Sequence, residues 1–140
     1  MKKLTWWFRI VGGFYLLLAL MNLYFVLLNP NFVDGMMAFP FPVTQDVIMA
    51  FVDGWSPFAF EIFGIATFML WASFNPSRYL GAVWLLVWLE FAHGVLDDIY
   101  LIVRGYDLVG YLVFIAVHLA IIVTGILFVR QAEREVAAGG

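Results

Sequence analysis

No cysteine occurs among the 140 residues, which excludes disulfides, zinc–thiolate sites, iron–sulfur clusters and cysteine nucleophiles together. Charge is also scarce: Asp, Glu, Lys and Arg make up 12% of the chain, about half the share of a typical soluble domain. The few Lys and Arg residues form no basic patch and the net charge is −3, so no nucleic-acid partner is expected. Serine is rare too. Ser56, Ser73 and Ser77 lie on no nucleophile elbow and beside no histidine within an apolar run, which argues against a hydrolase triad. Gly12-Gly13 lies inside an apolar run, where close helix packing explains it better than a phosphate loop.

The chain is instead 65% apolar and 19% aromatic. A bilayer core of about 30 Å is crossed by about 20 apolar helical residues, and four runs meet that length. The first covers about residues 6–28, the third about 79–103 and the fourth about 108–129. The second has two readings. If Ser56 is an N-cap and Pro57 a first-turn residue, it covers about 57–74, and "TQDVIMAFVDGW" before it is a separate interfacial helix. Otherwise it begins near residue 48. The opening "MKKLTWWFRIVGGFYLLLAL" reads as the first span rather than a cleaved signal peptide, because its apolar run is too long and no small-x-small site follows.

The links "NPSR" and "RGYD" are short, so spans two to four must be antiparallel neighbours. The expected fold is a single-domain, all-α integral membrane four-helix bundle. Lys2, Lys3, Arg9, Arg78, Arg130 and Arg134 fall at one face and Arg104 alone at the other. The positive-inside rule then puts both termini in the cytoplasm and makes the protein a multi-pass component of the cytoplasmic membrane.

Against this background "EFAHGVLDDIY", residues 90–100, is out of place. At about 100° per residue, His93 lies about 60° from Glu90 and Asp97 about 20° from it, with Asp98 to one side. An ionisable side chain at the bilayer centre costs about 2.5–3.5 kcal/mol on insertion scales unless it faces protein or water. The stripe must therefore point inward. His118, with Tyr111 and Phe114 on its face, comes from the fourth span; Glu61 comes from the second; Tyr15 and Asn22 come from a stripe of the first. Together Glu61, Glu90, His93, Asp97 and His118 form an expected polar column leaning toward the exterior, where Asp97 can also pair with Arg104.

The start "MKKLTWWFRIVGGFYLLL", the segment "GVLDDIYLIVRGYDLVGYL" and the ending "HLAIIVTGILFVR" resemble the BphX-like family of small bacterial four-helix membrane proteins. The resemblance covers most of the chain. It implies residence in the bacterial inner membrane and a link to aromatic-compound catabolism, since the namesake is encoded among genes for biphenyl breakdown; it implies no catalytic assignment.

Several readings of the column compete. One is a pocket for a small hydrophobic compound, with Phe60, Phe63, Phe91 and Phe114 as walls around Glu61, Glu90, His93, Asp97, His118, Asn22, Tyr15 and Tyr111. A second is a mononuclear iron, manganese or zinc site on Glu61, Glu90, His93 and His118, suggested by the Glu-x-x-His spacing of Glu90 and His93. A third is structural, with buried polar groups pairing across helices. The fourth is a proton-coupled transport subunit; the apolar stretch around Val83 and Leu86 speaks against it. Glycines 12, 13, 110 and 125 leave surfaces on which a homo-oligomer could pack.

Overall fold

The computed structural model describes residues 1–36 and 39–139. In order, these form α1 (Lys2–Leu27), α2 (Phe32–Met36), α3 (Gln45–Ala72), a 3-10 turn (Pro76–Tyr79), α4 (Leu80–Leu89), a π-helical stretch (Glu90–Leu96), α5 (Asp97–Val103) and α6 (Leu108–Gly139). The 3-10 turn, α4, π stretch and α5 follow one another without a break and form one rod, Pro76–Val103, called here the third span. With it, four helices are long and apolar enough to cross a membrane. They pack as a helical bundle in which α1 lies along α3 and meets α6, and α6 lies along the third span.

The second span departs from the shorter reading. α3 is continuous from Gln45, so "TQDVIMAFVDGW" is no separate interfacial helix: Thr44 caps α3, accepting from the Val47 N–H at 3.4 Å, and the rest supplies its first turns. Pro57 lies inside the helix and lacks the N–H that Asp53 C=O would ordinarily receive four residues back. The Ser56 hydroxyl fills that role, donating to Asp53 O at 2.9 Å. In an apolar surrounding this replacement is what lets the helix pass the proline. Ser56→Ala is therefore expected to cost about 1 kcal/mol. Ser56→Ala/Pro57→Ala should regain it, because an alanine in place of the proline restores the N–H. Thermal melts followed by tryptophan fluorescence compare the two; equal melting temperatures for both variants would refute the role of the hydroxyl.

The turn before α6 shows why four residues suffice. Gly105 has φ +88°, a conformation glycine adopts without strain. The Tyr106 and Gly105 N–H groups reach back to Leu101 and Ile102 C=O at 3.1 and 3.0 Å, closing the helix end in the Schellman pattern. Asp107 then caps α6, accepting from the Val109 and Gly110 N–H groups at 3.2 and 3.0 Å.

Two apolar cores flank the polar middle. The one at the end that carries the termini contains Leu4, Trp7, Phe8, Met69, Val83 and Val129; the one at the opposite end contains Phe25, Val33, Ile48 and Val52. Gly12 lets α1 approach Met69 and Leu70, and Gly125 makes room for Trp7 and Val87, so both serve contacts within the chain. Gly13 faces open space instead. Trp7 Nε1 donates to Thr124 Oγ1 at 3.1 Å, and the N-terminal ammonium pairs with Glu135, joining the first helix to the last.

Candidate functional site

Between the two cores the helices enclose a cavity of about 430 Å³, within the size range of small-molecule sites. Its termini-proximal end is a hydrogen-bonded chain across three helices. Glu90, only 1% exposed, accepts from the Tyr15 hydroxyl of α1 and meets Nδ1 of His118 on α6 at 2.5 Å. Across the ring, His118 Nε2 lies 3.7 Å from Asp98 Oδ2. That oxygen has no hydrogen-bond partner among the described residues although Asp98 is 6% exposed. At the other end Trp55 Nε1 donates to Asn22 Oδ1 at 2.6 Å, and Asn22 Nδ2 donates to Leu18 O at 2.7 Å.

The π stretch decides which residues reach this site. In a regular α-helix Asp97 would fall about 20° from Glu90 and Asp98 about 80°. A π turn closes with i→i+5 rather than i→i+4 bonds and so advances less per residue. Residues beyond it lag, and Asp98 comes back beneath Glu90. Accordingly Glu90, Gly94 and Asp98 are buried, while His93 and Asp97 are exposed at the cavity's side. Gly94 is the contact point: a Cβ there would lie under 3.0 Å from atoms of the His118 ring.

The expected residues thus fall into two groups. Tyr15, Glu90 and His118 are joined by hydrogen bonds, with Asn22 bonded to Trp55 at the far end. Glu61, His93, Asp97 and Tyr111 line the cavity outside that chain; the His93 ring stacks edge-on against Phe58 at 6.3 Å. Asp97 does not pair with Arg104: among the described residues the ion pairs are Met1–Glu135, His118–Glu90 and His118–Asp98. Spacing at 100° per residue sets Asp98 to one side of this site, and Trp55 is a member of it that the sequence reading does not name. The signal for Asp98 is present in the sequence as Glu90, Gly94 and Asp98 at successive steps of four, a small residue between two acids.

The BphX-like family model matches residues 1–134. The chain belongs to the BphX-like family. No curated protein and no solved structure matches it.

Among the described residues no three His, Asp or Glu side chains come together in a group that could hold a metal ion, Glu61, Glu90, His93 and His118 included. The reason is geometric: Glu90 is turned inward to His118 while His93, three residues on, lies at the cavity's exposed side. Of the four phenylalanines expected as walls, only Phe114 lines the cavity; Phe60, Phe63 and Phe91 are exposed on the bundle surface. Phe14 and Phe58 take their place.

The walls on α3 and the third span do not close over the cavity. Along their lengths these helices share few backbone contacts, and beside the cavity only side chains such as the Phe58 and His93 rings reach across the space between them. Glu61 of α3 and His93 and Asp97 of the third span, all exposed and all lining the cavity, flank that gap.

Proposed function

We propose that this BphX-like protein binds a small amphipathic molecule drawn from the bilayer, its apolar body between the aromatic walls and its polar head at the His118–Asp98 end. The observation that carries this reading is an apolar-walled cavity whose inner end holds a satisfied network, Tyr15–Glu90–His118, beside an unsatisfied buried oxygen of Asp98. Pockets of this composition bind by apolar burial and orient by a few convergent polar groups. The gap between α3 and the third span offers a route from the lipid. Six of the seven basic residues lie toward the end that carries the termini, which supports an antiparallel bundle in the bacterial cytoplasmic membrane with both termini inside. The cavity then leans toward the exterior, and its aromatic walls suit an aromatic body of the kind an accessory to aromatic-compound catabolism would meet.

Phenylbutylamine, phenylbutanol and phenylbutyrate, three probes with one body and different heads, test the reading by calorimetry on protein in zwitterionic nanodiscs, with empty nanodiscs as the blank. At least one should bind saturably. Ile65→Phe, which puts a ring into the cavity wall, should weaken that binding by about tenfold or more while the melting temperature stays within about 4 °C. Absence of saturable binding by all three probes, or binding indifferent to Ile65→Phe, would overturn the proposal.

A further inference from the structure

The charges around the cavity are one-sided. Five carboxylates and two histidines line it, and among the described residues no lysine or arginine does. Two of the carboxylates are hydrogen-bonded within the protein, since Glu90 holds Tyr15 and His118 and Asp107 caps α6, whereas Asp98 faces His118 Nε2 at 3.7 Å with its Oδ2 left without a hydrogen bond. Glu61, Asp97 and Asp98 remain. Asp98 is buried while Glu61 and Asp97 are exposed beside it along the cavity, and a carboxylate held in a low-dielectric site stores free energy that a cation can release.

The occupant can be narrowed further. A divalent metal ion needs several convergent oxygens, and no such group of His, Asp or Glu exists among the described residues. An alcohol would satisfy the orphan Asp98 oxygen with its single O–H and leave Asp97 and Glu61 as they are. A primary ammonium carries three N–H donors and a full charge, enough for Asp98 and Asp97 together. The walls favour the same head group, because Phe58 and Tyr111 line the cavity and aromatic faces attract cations.

We infer that the cavity of this BphX-like protein is selective for an organic cation, an amine whose ammonium sits against Asp98 and Asp97 and whose apolar body lies along α3. This inference rests on the binding reading above and names the class of its ligand. Neutral and anionic analogues of the same body are disfavoured: the first leaves the carboxylates uncompensated and the second adds to their repulsion.

The phenylbutyl series separates the two claims. Phenylbutylamine is expected to bind at least about tenfold more tightly than phenylbutanol, and phenylbutyrate most weakly, since a charge-assisted hydrogen bond exceeds a neutral one by about that factor. Asp98→Asn keeps shape and removes charge; it should weaken the amine about tenfold and change the alcohol by less than about threefold. Asp97→Asn, at an exposed position, gives the same sign if Asp98→Asn fails to fold. Alcohol binding as tight as amine binding overturns the cation assignment and leaves the binding reading standing. Amine preference that survives both Asp98→Asn and Asp97→Asn overturns the assignment to these carboxylates. Failure of every probe overturns both claims.

Discussion

Gly94→Ala will lower the melting temperature by about 5–10 °C, because its methyl group collides with the His118 ring and overpacking of this kind costs about 1–3 kcal/mol. The obstacle is the root of the imidazole: the added Cβ would meet Cγ and Nδ1 at under 3.0 Å. His118 cannot simply swing aside, since Nδ1 is held by Glu90 and the ring spans the space to Asp98. Either the π stretch moves away from α6 or His118 leaves Glu90, and in both cases the inner end of the cavity is lost. Ligand binding should therefore fall with stability. Gly64→Ala is the control. A Cβ added there meets no side chain and no other helix within 4 Å, and alanine in a helix is favoured over glycine by up to about 1 kcal/mol, so its melting temperature should hold or rise. A Gly94→Ala protein as stable as wild type would mean that the close approach of the π stretch to His118 is not a fixed feature of the bundle.

The second large effect is at Glu90. Glu90→Leu removes the shared acceptor of Tyr15 and the partner of His118 at the centre of the bundle. Two opposing terms decide the outcome. Loss of a buried carboxylate relieves a desolvation cost of about 2.5–3.5 kcal/mol on insertion scales, whereas breaking a buried pair by removing one member costs about 3–5 kcal/mol. Tyr15 and His118 both line the cavity and can turn partly toward it, which softens the second term. A net loss of about 1 kcal/mol, the difference between the midpoints of these two ranges, is expected. The variant Tyr15→Phe/Glu90→Leu/His118→Phe removes all three polar groups and should be at least as stable as Glu90→Leu alone, following the behaviour of buried ionic groups replaced as a set. Binding should be lost in both. Equilibrium unfolding alongside calorimetry distinguishes the roles: a triple variant that is stable but does not bind assigns the network to function, and one that is still less stable than Glu90→Leu assigns it to helix association.

The same residues mark how far the sequence alone could be read. Span number and extent follow from apolar length, because a run such as Leu108 onward can be little other than a buried or membrane helix. The inward placement of Glu90 and His118 follows from the cost of leaving them in lipid. Tyr15 and Asn22 follow from the stripe of one helix. These inferences need only local composition and a fixed angle per residue.

Where that angle changes, the reading slips. Spacing at 100° per residue puts Asp97 beneath Glu90 and groups His93 with both; the π stretch puts Asp98 there and leaves His93 and Asp97 at the cavity's exposed side. Pro57 likewise reads as a helix start, and only the Ser56 bond to Asp53 O shows how the helix continues through it. A single sequence determined that this protein is a bundle of four apolar helices with Glu90 and His118 turned inward. Tertiary structure alone decided which of them meet, because the meeting of Glu90, His118 and Asp98 depends on one widened helical turn and on how closely Gly94 lets α6 approach.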